Sequence, residues 1–146
     1  MEKKLYTIGF TQKSAEEFFT TLEQNNVESI LDIRFNNDNH LSSFARKKHL
    51  PFLLNQILGC KYDYLPVLAP TRELFKGYKD GIISWPVYCN KYISTLKEIQ
   101  PESFITEGQL NNACLLCSES TPKKCHRRLA AEYLAGKFPD TRIKHL

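Results

Sequence analysis

The chain has 146 residues, 42% hydrophobic, 12% aromatic and 25% charged, which is the composition of one ordinary globular domain. At this length it buries enough surface to need no staples, and the composition excludes a disordered, collagen-like or disulfide-scaffold protein. The net charge of +4 lies in the second half: residues 1–73 carry nine basic and nine acidic side chains, residues 74–146 eleven and seven, too mild a balance to predict a nucleic-acid partner by itself.

The elements follow in chain order. Leu5–Gly9 is a short β-rich run stopped by Gly9. Ser14–Gln24 reads as a helix, with Ser14 as N-cap, Glu17 three residues later, and Phe18, Phe19 and Leu22 on one face. Ser29–Ile33 is a strand ending in charge at Asp32 and Arg34. Phe35–Ser43 is a polar, Asn-rich loop, and Ala45–Leu58 a second helix with Pro51 in its path. A short strand lies within Gly59–Leu65, closed by Pro66, and Val67–Ser84 is mostly irregular. Trp85–Ile99 suits a helix, with Pro86 in its first turn and Val87, Tyr88, Tyr92 and Leu96 inward. Asn112–Cys117 is a buried strand, Pro122–Lys137 a helix capped by Thr121, and Arg142–Leu146 a final strand.

Alternating strands and helices imply parallel strands with right-handed crossovers. The expected fold is therefore α/β: a single domain over residues 1–146, a three-layer α/β/α sandwich with a mostly parallel sheet, Rossmann-like. Ligands in such folds bind beyond the carboxyl ends of the strands. That points to Gly9–Thr11, Asp32–Arg34, Leu65–Pro70 and Cys117–Glu119. The N-terminus lacks the apolar stretch of a secretory signal, and no apolar run approaches the ~18 residues of a membrane span. The expected address is the cytoplasm, without a membrane partner. There the five cysteines, Cys60, Cys89, Cys114, Cys117 and Cys125, are reduced thiols.

The richest stretch runs from Ala113 to Arg128. Lys123, Lys124, His126, Arg127 and Arg128 fall in the first turns of the expected helix, where the dipole already supplies positive charge. No acid lies between Glu119 and Glu132 to offset them. A bound anion resolves the conflict; a solvated lysine face and arginines paired to distant carboxylates do so without one. His126, Leu129, Ala130 and Tyr133 share a helical face, so His126 lies at the top of the buried side. It is either a hydrogen-bonded core histidine or a proton carrier. Cys117 and Cys125 flank a helix start rich in cations, which favours a reactive thiol, although core packing explains buried cysteines as well.

Asp32 and Arg34, two apart on a strand, leave it on one face. They form an ion pair, or act as acid/base group and anion clamp. Gly9 suits a backbone turned tightly under a ligand. Cys114, Cys117, Cys125 and His126 invite a zinc reading. Cys114 and Cys117, three apart in a strand, face opposite sides, and a zinc knuckle wants a turn where this chain has Leu-Leu, so no structural zinc is expected. The strand, loop and helix around Cys117 are similar to Cys-x5-Arg phosphatases and rhodanese-like sulfurtransferases, but the residue six after Cys117 is Lys123 and the loop has no glycine. Tyr62, Tyr64, Tyr78, Tyr88 and Tyr92 suit a core more than a stacking platform for bases.

Taken together, Thr7-Ile-Gly-Phe-Thr11, Leu31-Asp-Ile-Arg34, Gly59-Cys-Lys-Tyr62 with Leu65-Pro66, Arg72-Glu-Leu74, Tyr92, and Leu116-Cys-Ser-Glu119 through Cys125-His-Arg-Arg128 resemble the domain-of-unknown-function family 488. The most specific part is Cys117-x-Glu119-x5-Cys125-His126-Arg127. The resemblance implies a small α/β protein and a site rather than a reaction. Three loops depart from the family pattern: Phe35–His40, Val67–Pro70 and Thr121-Pro122.

The reading that follows is an enzyme-like pocket at the strand ends for a small anion, such as a nucleotide or phosphorylated metabolite, with no cofactor. Gly9, Thr11, Arg34 and Arg127 would hold the ligand. Asp32 or Glu119 with His126 would move protons, and Cys117 or Cys125 would be the nucleophile. The alternatives are a non-catalytic nucleic-acid or protein-binding module, its nucleic-acid affinity weak, and a zinc protein using Cys117, Cys125 and His126.

Overall fold

The computed structural model describes residues 2–36, 43–119 and 123–146. Five strands, β1 (Lys3–Gly9), β2 (Ser29–Asp32), β3 (Lys61–Tyr64), β4 (Ala113–Cys117) and β5 (Thr141–His145), form one sheet in the order β3-β2-β4-β1-β5, every pair parallel. The helices are α1 (Ala15–Gln24), α2 (Leu50–Leu58), α3 (Arg72–Lys79), α4 (Trp85–Ile99), α5 (Glu107–Leu110) and α6 (His126–Lys137). The expected three-layer α/β architecture is present.

Chain direction decides which face each helix covers. From β1 the chain steps through β2 to β3 at one edge, and α1 and α2 lie on one face. It then turns back through β4 to β5, and right-handed crossovers send α3 to α6 to the other face. Two cores follow. One packs Phe18, Phe19, Leu22, Leu50 and Leu54 against Tyr6, Ile8, Ile30, Cys114 and Leu116. The other packs Leu74, Tyr88, Tyr92, Leu96, Leu129 and Leu134 against Leu5, Leu31, Ile33, Ala113 and Leu115. Strand β4 is therefore flanked on both sides by strands whose following helices leave to the opposite face. That is a topological switch point, where such sheets open a crevice.

Several boundaries differ from the sequence expectation. Helix α6 begins at His126, with Cys125 as an extended N-cap, and residues 123–125 form a turn and bend. Lys123 and Lys124 therefore precede the helix; the expected Thr121-Pro122 cap lies outside the described residues. The stretch Val67–Ser84 contains α3, started by Thr71, whose side chain accepts from the Leu74 amide. The span Ala45–Leu58 divides into a 3-10 turn at Ser43–Ala45 and α2, which takes Pro51 in its first turn and ends at Gly59 with φ 63°. Tyr88, Tyr92 and Leu96 are buried as expected, but Val87 is exposed, because α4 is covered on one side only. No helix among the described residues is long and apolar enough to cross a membrane.

Candidate functional site

The β-pairing register levels the strand ends. Gly9 stands opposite Cys117, and Asp32 opposite Leu116. Side chains alternate across a strand. Cys117 follows Leu115 onto the α6 side, whereas Asp32 follows Ile30 onto the α1–α2 side. The predicted site residues thus divide between two faces of one sheet.

On the α6 side, His126 is the first residue of its helix and is buried. Its Nε2 lies 2.7 Å from the Ile33 carbonyl. A carbonyl only accepts, so Nε2 carries the proton and Nδ1 of the neutral ring is left as an acceptor. That Nδ1 faces Cys117 Sγ at 3.5 Å. The ring packs edge-on against Tyr92 at 5.7 Å, and the Tyr92 hydroxyl is held by the Leu68 carbonyl at 2.6 Å. The Cys125 thiol donates to Cys117 Sγ at 2.9 Å. Burial raises the Cys117 thiol, but the Cys125 hydrogen bond, the amides of Glu119 and Ser118 and the Arg127 charge outweigh it, so the thiol falls below its ordinary value of 9.0. Cys125 moves the other way: its bond to Cys117 favours the protonated form, and burial adds to this.

Arg127 is also fully buried. Its Nε donates to Thr7 Oγ1 at 3.2 Å and its Nη1 to the Glu119 carbonyl, while Nη2 has no hydrogen-bond partner among the described residues. Helix α6 has no acid in its first turn and no side-chain cap. Gly9 makes room for this arrangement: a Cβ there would run into the Glu119 carbonyl oxygen and Arg127 Nη1. The close approach at Gly9 is thus made by the chain leaving β4. Nearby, Thr11 N donates to the Ser118 carbonyl at 3.1 Å and Lys13 Nζ to the Gly9 carbonyl at 2.7 Å. Burial, with Arg127 adding to it, lowers the Lys13 ammonium. The side chains of Thr11 and Glu119 are exposed.

On the opposite face, Arg34 clasps Asp32. Nε donates to Oδ1 and Nη2 to Oδ2, both at 2.8 Å, and Nη1 donates to the Ala45 carbonyl at 2.6 Å. The Tyr62 hydroxyl donates to Asp32 Oδ2, and the guanidinium lies over the Phe10 ring at 5.5 Å. Burial and the bond to Asp32 push the Tyr62 hydroxyl well up. Each guanidinium nitrogen of Arg34 has a protein acceptor, whereas Nη2 of Arg127 has none among the described residues.

The sequence reading did not put Thr7, Tyr62, Tyr92 or the Ile33 carbonyl in the site, although Thr7, Tyr62 and Tyr92 stand in the motifs of the family resemblance and Tyr92 was expected inward. Thr7 lies two residues before Gly9 and so shares its face. Cys114 packs in the α1–α2 core, on the far side from Cys117. The ligand atoms of Cys117, Cys125 and His126 lie within 4.8 Å of one another. Tetrahedral zinc with bonds of ~2.3 Å holds two sulfurs about 3.8 Å apart. At 2.9 Å the sulfurs stand closer than a shared ion would hold them.

A family model described as domain of unknown function DUF488 matches residues 14–134. That span includes Asp32, Arg34, Cys117, Glu119, Cys125, His126 and Arg127. Neither the curated proteins nor the solved structures contain a match.

Proposed function

The chain belongs to the DUF488 family, a domain of unknown function, and from that premise we propose that it is a cytoplasmic, cysteine-centred enzyme acting on a small anionic ligand at the end of β4. Cys117 is the nucleophile, and Nδ1 of His126 takes its proton and returns it. Nη2 of Arg127, which has no partner among the described residues, and the first amides of α6, which the Cys125 side chain does not cap, hold the ligand's charge. Glu119 and Thr11 stand at the rim. Asp32 and Arg34, on the other face, set the end of β2 and with it the Ile33 carbonyl that orients His126.

The observation that carries this reading is the Cys117–His126 pair, 3.5 Å apart, with the imidazole tautomer fixed from behind by Ile33. A core histidine needs one partner for burial. This one directs its second nitrogen at a thiol whose surroundings favour the thiolate, at the switch point of the sheet.

Alkylation with iodoacetate and iodoacetamide, located by peptide mass mapping, tests the reading. Cys117 should label near neutral pH, faster with the anionic reagent than with the neutral one, and inorganic phosphate should slow it. A Cys117 inert to both reagents up to pH 9 removes the nucleophile. Equal labelling by both, indifferent to phosphate, removes the anion. Stoichiometric zinc in protein purified without a tag would put a metal reading in its place. DNA or RNA binding that survives physiological salt would favour the binding-module alternative.

A further inference from the structure

We infer that Cys117 and Cys125 are a peroxide-oxidisable dithiol that closes to an intramolecular disulfide, Cys117 being attacked first and Cys125 resolving it. The inference rests on the reading of Cys117 as the nucleophile of the site, and it adds a second reaction and a second cysteine.

Three geometric observations carry it. The two sulfurs are 2.9 Å apart, and a disulfide bond is about 2.05 Å long, so closure asks for less than ~1 Å of movement. The Cys125 thiol is not spent on the helix: as N-cap the residue accepts the Arg128 amide through its carbonyl at 3.2 Å, its backbone is extended at φ −134°, ψ 139°, and its side chain makes no capping bond. Cys114 and Cys60 pack on the opposite face of the sheet, so neither competes for the pair. The two thiols are unequal in the sense the chemistry needs. Cys117 favours the thiolate and Cys125 holds its proton, donating it toward Cys117.

The reaction balances with a hydroperoxide as oxidant. The Cys117 thiolate, its proton on His126, attacks the terminal peroxide oxygen; an S–O bond forms, the O–O bond breaks, and the hydroxide or alkoxide leaves with the proton that His126 returns. Cys117 is then a sulfenic acid. His126 takes the Cys125 proton, the Cys125 sulfur attacks Cys117, the S–S bond forms and the S–O bond breaks. The departing hydroxide takes the proton from His126 and leaves as water. Two thiols and one hydrogen peroxide give one disulfide and two waters. A reducing thiol reverses the change. The disulfide would tie the N-cap of α6 to the last residue of β4 and spare Cys117 from irreversible oxidation.

The test treats the reduced full chain with hydrogen peroxide, blocks remaining thiols under denaturing conditions and measures mass. Wild type should lose two thiol labels, both mapping to a cross-link between Cys117 and Cys125, and recover them with dithiothreitol. Cys125→Ser should instead trap Cys117 as a sulfenic acid that dimedone captures and that proceeds to sulfinic acid. Cys60→Ser should behave as wild type. Cys117 passing to sulfinic acid in wild type while Cys125 stays fully labelled would overturn the inference. So would both thiols shielded by stoichiometric zinc. Labelling by iodoacetate without disulfide formation leaves the nucleophile standing and removes the dithiol. Disulfide formation without phosphate protection leaves the dithiol standing and removes the anion.

Discussion

Arg34 holds Asp32 through two parallel hydrogen bonds of 2.8 Å, and neither side chain reaches solvent, at 1% and 0% exposure. Tyr62 and the Ala45 carbonyl complete the cluster, so both charges are fully partnered. Breaking a buried pair by removing one partner strands the other charge and costs about 3–5 kcal/mol. Arg34→Ala should therefore lower the melting temperature by roughly 10 °C. Replacing both residues with apolar side chains of similar volume should recover much of that. A loss below about 1 kcal/mol for Arg34→Ala would show that the pair is screened by water.

The spacing of Asp32 and Arg34 announces that they share a face. Nothing in the sequence places Cys117 on the other one. Every residue of β2 and β4 is buried, and a strand covered on both sides carries no alternation from which to read inside and outside. Only the strand order assigns the faces, and it rests on long-range pairing. The start of α6 was obscured differently: Thr121-Pro122 is a good helix-opening dipeptide, whereas Cys125 caps without a side-chain bond and leaves no compositional mark. In α3 the signal was present. Thr71 caps it, but Gly77 and the neighbouring Pro70 and Gly81 outweighed that cue. His126 was legible because its helical phase with Leu129 and Ala130 needs no tertiary information.

Gly9→Ala tests the crossing of β1 by the chain after β4. An added Cβ meets backbone, the Glu119 carbonyl, as well as the Arg127 guanidinium. Backbone cannot swing aside as a flexible side chain does, so the turn must move with it. The variant should lose ~2 kcal/mol or more, and Cys117 should lose its preferential alkylation, because the Ser118 and Glu119 amides shift with the turn. Retention of both stability and reactivity would show that the turn tolerates displacement.

Cys60 predicts an alkaline limb. Burial, with Glu28 adding to it, pushes its thiol from 9.0 up to about 11. Below pH 9 the group is protonated folded and unfolded, and its contribution is fully present. Between pH 9 and 11 the unfolded chain releases a proton that the native state keeps, so stability falls as pH rises. Cys60→Ala should flatten that part of a pH-dependent urea series. Cys117 has the opposite sign: its lowered value makes the native state release its proton first, so its contribution is complete above pH 9 and is lost as pH falls through the native value. Cys117→Ser should remove this rise. Unchanged slopes in both variants would assign the pH dependence to other groups.

The Tyr92 hydroxyl donates to the Leu68 carbonyl at 2.6 Å from a fully buried ring. Tyr92→Phe keeps the packing against His126 and leaves that carbonyl without its donor, which costs about 1–3 kcal/mol. The expected result is a lower denaturation midpoint with the alkylation preference of Cys117 intact. A variant that folds as well as wild type but loses that preference would move Tyr92 from scaffold to site.

Arg127 and Lys123 separate a ligand-holding cation from a solvated one. Arg127 is buried at the start of α6, its Nη2 without a partner among the described residues, and Lys123 is exposed before the helix begins. An anion that engages Nη2 and the α6 amides binds only the folded protein and raises its stability by RT ln(1 + [L]/Kd), about 1.4 kcal/mol at ten times Kd. For a chain of this size that is a rise of roughly 4 °C. Phosphate or sulfate, at ionic strength matched with chloride, should give such a rise in wild type and in Lys123→Ala. Arg127→Ala should start lower, because Thr7 and the Glu119 carbonyl lose their donor, and should gain nothing from either anion. Arg127→Lys supplies the control for folding: it keeps the charge but not the planar fork, so its basal loss should be smaller and its anion gain reduced rather than abolished. A wild type that gains nothing from phosphate, sulfate or a nucleotide ends the anion reading. Arg127 would then be a strut tying the start of α6 to β1, and the dipole conflict at α6 would be answered from within, by the Cys117 thiolate.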